Sequence, residues 1–117
     1  ASNGISDLTP LAGLTKLRTL ILQKNNIKDL APLKGMTKLE TLYLDDNNIK
    51  DLTPLARMKQ LKNLSLRENK IVDLTPLAGL KQLEHLNLED NPNLTKAETD
   101  TLQRPIPKCR IVHNAKN

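Results

Sequence analysis

The chain has 117 residues and a formal net charge of +5, with no Phe, no Trp, one Tyr and one Cys. That length suits one domain, but a compact core usually draws much of its buried area from aromatic rings, so an ordinary globule fits this composition poorly. No apolar run approaches the roughly 18–20 residues of a membrane span, so no membrane insertion is expected, and a lone cysteine excludes an internal disulfide.

Residues 1–16 begin inside a repeating unit, because Asn3 and Ile5 answer to Asn25 and Ile27 one period later. They read as a partial repeat cut from a longer array. The first full strand, around Arg18–Leu22, then has an open edge, and such an edge offers self-association with another chain. The repeats follow as LRTLILQKN (Leu17–Asn25), LETLYLDDN (Leu39–Asn47), LKNLSLREN (Leu61–Asn69) and LEHLNLEDN (Leu83–Asn91), each starting 22 residues after the last. A degenerate fifth copy, IPKCRIVHN, starts 23 residues later and puts Ile106, Cys109, Ile111 and Asn114 in the four fixed slots. A constant period of this length marks a stacked solenoid, whose coils bury their apolar sides against one another.

Within each copy, Leu-x-x-Leu-x-Leu alternates apolar and variable residues, the pattern of a half-buried strand. The Asn that follows turns the chain, its amide both donating to and accepting from backbone groups left unpaired in a tight corner. Asn25, Asn47, Asn69 and Asn91, with Asn114 as a fifth, are expected to stack as a structural ladder. The return halves SDLTPLAGL, KDLAPLKGM, KDLTPLARM and VDLTPLAGL place Asp7, Asp29, Asp51 and Asp73 as N-caps of short 3₁₀ segments. Pro10, Pro32, Pro54 and Pro76 fall where a missing N–H is tolerated, and Leu8, Leu11, Leu14 and their equivalents should point inward. The last spacer offers Thr95 as N-cap with Glu98 three residues on, a capping-box spacing, and predicts one helix over Lys96–Arg104. A strand over Lys108–Val112 and a frayed tail at 114–117 complete the chain. Cys109 occupies a leucine slot and reads as a buried thiol.

These segments resemble the leucine-rich repeat family. The form Leu-x-x-Leu-x-Leu-x-x-Asn-x-Ile followed by Asp-Leu-Thr-Pro-Leu is similar to the 22-residue subclass of bacterial internalins, and also to a regulatory subunit of protein phosphatase 1 in eukaryotes. The regularity of the copies looks bacterial, or like a consensus design. The resemblance implies an α/β leucine-rich repeat solenoid: a right-handed horseshoe with a parallel β-sheet on the concave face, 3₁₀ and turn segments on the convex face, and one C-terminal helix. It also implies protein binding and a bacterial surface or secreted setting, with the cytoplasm left open. The expected organisation is one domain over 1–117: a partial repeat at 1–16, four repeats over 17–94, and a capping helix and strand over 95–117. The helical cap and immunoglobulin-like region of internalins are not matched in these residues, so adhesion to a particular host receptor is not implied.

Variable residues between the leucines face away from the core and form columns, with neighbours about 4.8 Å apart. The first is read as Thr19, Thr41, Asn63, His85, Lys108 and the second as Ile21, Tyr43, Ser65, Asn87, Arg110. The third is Gln23, Asp45, Arg67, Glu89, Val112, and the last Lys24, Asp46, Glu68, Asp90, His113. None of these side chains is needed for folding, so they are the candidate protein-binding residues, above all Ile21, Tyr43, Asp45, Arg67, Glu89, His85 and Arg110. Ile21 and Tyr43 form an apolar anchor ringed by charge, against the plainer reading of ordinary surface apolar residues. Asp45, Arg67 and Glu89 alternate in sign, either as a recognition patch or as a cross-strand charge ladder contributing ~0.2–1 kcal/mol per pair.

No catalytic residues emerge: Ser65 has no His in its layer, and no glycine-rich phosphate loop occurs. Asp46, Glu68 and Asp90 offer oxygen ligands on successive layers, but the remaining ligands are lacking and Lys24 lies near; His85 and His113 fall in different columns. No metal and no cofactor are expected. Bases and acids nearly balance on the strand side, and the positive excess is scattered over the return side without stacking aromatics, so no nucleic acid partner is expected. Two functions stay open: a protein-interaction module acting through the concave face, and a structural spacer or consensus-designed scaffold without a dedicated partner.

Overall fold

Leucines at every second position of a short segment commit one side of that segment to the core, and here five such segments lie side by side. The computed structural model describes residues 6–116, so the match of Asn3 and Ile5 to later repeats lies outside the described residues. Strands β1 (Thr19–Ile21), β2 (Thr41–Tyr43), β3 (Asn63–Ser65), β4 (His85–Asn87) and β5 (Arg110–Val112) form one parallel sheet in sequence order. Thr19 pairs with Thr41, Thr41 with Asn63 and Asn63 with His85, so the 22-residue period is also the register. Each new strand begins with two successive N–H groups donating to one carbonyl of the coil before: Glu40 and Thr41 to Arg18, Lys62 and Asn63 to Glu40, Glu84 and His85 to Lys62.

The asparagine ladder is a seam between coils. Asn69 Oδ1 accepts the N–H of Ile49 at 3.0 Å, and its Nδ2 donates to the carbonyls of Leu44, Leu66 and Arg67. Asn47 and Asn91 repeat this arrangement toward Ile27 and Ile71. All four of Asn25, Asn47, Asn69 and Asn91 are buried, so each amide satisfies backbone groups that water cannot reach. Asn114 is not a fifth rung. It is exposed and exchanges two hydrogen bonds with Asp90, one to its N–H and one to its carboxylate, both 2.8 Å.

The return halves form 3₁₀ turns at Thr9–Leu11, Ala31–Leu33, Thr53–Leu55 and Thr75–Leu77, with the prolines in the first two positions. The expectation that Asp7, Asp29, Asp51 and Asp73 are N-caps is off by one residue. Leu8, Leu30, Leu52 and Leu74 occupy the cap. Each Asp precedes it and accepts the N–H two residues on, at 2.9 Å, an Asx turn that enters the 3₁₀ segment. Thr9 and Thr75 also donate their hydroxyls to Asp7 and Asp73. These bonds favour the charged carboxylate: the Thr9 hydroxyl, then its N–H, holds Asp7 below the usual 3.8. The Thr53 N–H leads for Asp51 and the Thr75 hydroxyl for Asp73, with the same downward direction.

The core is one continuous column of apolar side chains from Leu8 to Cys109. Leu14 departs from the inward expectation, being 47% exposed, because among the described residues no coil lies outside it. Cys109 is buried as expected, and burial pushes its thiol up to about 11.

The last coil is built differently. Pro92 stands where Asn48 and Lys70 donate to the carbonyls of Ile27 and Ile49; lacking an N–H, it cannot continue that row. Helix α1 (Lys96–Gln103) follows, with the Thr95 side chain accepting from the Glu98 N–H at 3.2 Å. Glu98 does not complete the capping box, since its carboxylate accepts the Leu74 N–H of the preceding coil at 2.8 Å. β5 then pairs His85 with Arg110 and Leu86 with Ile111, two residues out of the expected register. A two-residue slip keeps the inward and outward faces but moves every side chain one rung along. Ile106 takes the place of Leu80, and Cys109 that of Leu83, as their shared turn bond shows (Leu83 N–H to Leu80, Cys109 N–H to Ile106). The tail through Lys116 is tied down rather than frayed: Lys116 bridges Thr95 and accepts the Lys96 N–H.

Candidate functional site

Five strands in constant register project two columns of side chains from the open face of the sheet. The first column is Thr19, Thr41, Asn63, His85 and Arg110, and the second Ile21, Tyr43, Ser65, Asn87 and Val112. Arg110 thus sits beside His85 rather than Asn87, and Lys108 and Val112 leave the columns expected for them. His113, expected next to Asp90 on the open face, is half-buried. Its Nδ1 accepts the Ala115 N–H and its Nε2 meets the Thr99 hydroxyl of α1 at 3.3 Å, which makes it part of the cap.

Ile21 and Tyr43 are neighbours across β1 and β2, with Ile21 52% exposed. Beside them the face dips into a depression of about 400 Å³, whose walls include Tyr43, Asp45, Asn63, His85, Asn87 and Arg110. Of the residues singled out in the sequence, Tyr43, Asp45, His85 and Arg110 meet there. Asn63 and Asn87 were in the columns but not among the chosen seven, and their shared column with His85 and Tyr43 was the signal available. Ile21, Arg67 and Glu89 lie outside the walls of the depression.

Asp45, Arg67 and Glu89 do not form a simple chain of ion pairs. The Asp45 carboxylate accepts the Ser65 hydroxyl at 2.6 Å, the Arg67 N–H at 2.9 Å and the Gln23 amide at 3.0 Å. The Arg67 guanidinium turns the other way, lying 3.6–3.8 Å from carboxylate oxygens of Glu68, Glu89 and Asp90. All four side chains are substantially exposed, where such pairs contribute at most ~1 kcal/mol each. The rim here therefore carries more negative than positive charge.

Four residues on this rim have backbones in the left-handed region: Lys24, Asp46, Glu68 and Asp90, with φ between 55° and 63°. This conformation costs a non-glycine residue roughly 1–2 kcal/mol. It persists because the flanking groups are held on both sides: the N–H groups of Lys24, Asp46 and Glu68 donate to carbonyls of the next coil, and the following Asn is locked in the seam. Asp46, Glu68 and Asp90 are thus shaped by the turn. Among the described residues no group of three or more His, Cys, Asp or Glu is arranged to hold a metal ion. Nor is any helix among them long and apolar enough to cross a membrane.

Residues 15–57 match the family description "Leucine Rich repeats (2 copies)" and residues 37–92 match "Leucine rich repeat". The chain belongs to the leucine-rich repeat family. Within that family it is similar in structure to an internalin, InlF, of Listeria monocytogenes, with a TM-score of 0.88, 34% identity, and coverage of 97% of this chain and 33% of that one. Internalin C2 of the same species has a TM-score of 0.84 at 34% identity, covering 95% of this chain and 48% of its own. A leucine-rich repeat protein of Leptospira interrogans has a TM-score of 0.84 at 29% identity, covering 93% and 29%. The chain therefore spans less than half the length of each of these proteins. No curated protein matches it.

Proposed function

We propose that the chain is a non-enzymatic protein-interaction module, and that its partner lies against the open, concave face of the sheet. The observation that carries this reading is the convergence of Tyr43, Asp45, His85 and Arg110 on one depression, bordered by the exposed Ile21–Tyr43 pair. An aromatic in a concave setting with charge around it is what interface hot spots favour. The family's general use in protein–protein contact supports the same reading. Nucleophilic chemistry finds little support: the Ser65 hydroxyl is committed to Asp45, and the Cys109 thiol is buried and raised to about 11.

Pull-downs with the wild-type chain, an open-face variant (Tyr43→Ala with Arg67→Glu) and a return-face control (Lys50→Glu with Lys70→Glu) test it. Specific captures should be lost in the first variant and kept in the control. Retention in the open-face variant with loss in the control would move the interface to the other side and leave this reading without support.

A second reading concerns the end of the array. β1 pairs only with β2 among the described residues, and Leu14 and Ile21 are exposed there. We propose that this edge pairs with a second copy or a further coil. Sedimentation should show concentration-dependent dimers that Leu14→Lys removes; a monomer at every concentration would end the self-association reading.

A further inference from the structure

The depression on the open face has an unbalanced supply of hydrogen-bonding groups. Its one carboxylate, Asp45, is already saturated by Ser65, the Arg67 N–H and Gln23. Its donors are not. Among the described residues no carboxylate lies within ion-pair distance of Arg110. The Tyr43 hydroxyl and the His85 ring have no protein partner there, and Asn87 uses only its oxygen, on the Glu89 N–H. Asn63 makes one long bond, 3.4 Å, to Thr41. The cup therefore presents a guanidinium and several N–H and O–H groups with nothing to receive them.

Such a cup fits an acceptor that carries negative charge, because charge-assisted bonds to a carboxylate are about twice as strong as neutral ones. The neighbouring rim narrows the choice. Glu68, Glu89 and Asp90 surround the single Arg67, so a run of acids entering the cup would meet like charge beside it. An isolated acidic residue would not.

We propose that the depression seats one acidic side chain, Asp or Glu, carried by an extended segment of the partner protein. Arg110 supplies the charge, and His85, Asn63, Asn87 and Tyr43 the further donors. This rests on the concave-face reading above and names the chemistry of the partner at that face.

The test uses the chain labelled with ¹⁵N and three capped peptide pools, Gly-X-X-Glu-X-X-Gly and the same pool with Gln or Lys at the centre, X being Ala, Ser, Val or Lys. The Glu pool should shift the amides of β3, β4 and β5 and bind about tenfold more tightly than the Gln pool. Arg110→Gln should erase that difference, and Arg110→Lys, which keeps the charge, should preserve most of it; melting curves of both variants establish that they fold. Equal binding of the Glu and Gln pools at these amides would overturn the acidic-residue assignment while leaving concave-face binding intact. Shifts confined to the return face would overturn both. Inorganic phosphate moving these amides while the Glu pool does not would replace the protein ligand by a free anion.

Discussion

Asp7–Leu14 and Asp73–Leu80 are the same eight residues, DLTPLAGL, set three periods apart. Both enter a 3₁₀ turn from an Asx turn with a 2.9 Å bond to the second N–H, and both have their Asp held below its usual range by the following Thr. Leu8 and Leu74 are equally buried. Yet Leu77 is fully buried where Leu11 is half-buried, and Leu80 is 0% exposed where Leu14 is 47%. Turn chemistry is thus a local property of the octapeptide, whereas burial comes from the coil stacked outside it. A repeat in this protein specifies its own path and relies on its neighbours for its core.

The sharpest way to break that comparison is a matched pair of truncations. Leu80→Ala should cost about 2–5 kcal/mol by denaturant unfolding, as for other filled core sites, and Leu14→Ala less than ~1 kcal/mol. Equal costs would mean that the first coil is covered as well as the fourth. Next comes the seam. Asn69→Ala leaves the Ile49 N–H and several carbonyls without a buried partner, and should cost about 2–3 kcal/mol. Amide exchange should show the loss between the second and third coils first. Glu98→Ala tests whether the helix caps the stack through the Leu74 N–H; about 1–2 kcal/mol is expected, with Thr95→Ala near 1 kcal/mol as a cap-only control.

The smallest effect is acid sensitivity. Asp7, Asp51 and Asp73 have folded-state values below 3.8, so their contribution is complete above the unfolded value and is lost as pH falls through the depressed folded ones. Melting temperature should stay level down to about pH 4 and decline below it. The Thr9 and Thr75 amide resonances should move together there, since the local chemistry of the two ends is the same.

The period of the leucines was enough to set four strands, their register and their faces, because a spacing repeated without variation leaves one way to stack. It misled at Asp7, Asp29, Asp51 and Asp73 by one position, since an Asx turn and an N-cap use the same side chain and differ only in which N–H is reached. It misled again at the fifth strand. Ile106, Cys109, Ile111 and Asn114 imitate the leucine spacing, but α1 returns the chain so that Cys109 and Ile111 fill slots that are three residues apart in earlier coils. The left-handed backbone of Lys24, Asp46, Glu68 and Asp90 had no glycine to announce it. At the candidate site the outward columns were readable, whereas the sequence could not tell that Arg67 is engaged by three carboxylates while Arg110 is left open. Such pairing depends on where long side chains swing, which periodicity does not encode.

The register that advances by 22 residues from β1 to β4 has a consequence for how such a gene changes. Duplicating or dropping any 22-residue window within that stretch joins backbone points that are already equivalent, so the number of coils is free to drift by replication slippage. The segment from Pro92 to β5 breaks the interval and exists in one copy, which makes it a fixed terminus against which arrays of different length are assembled.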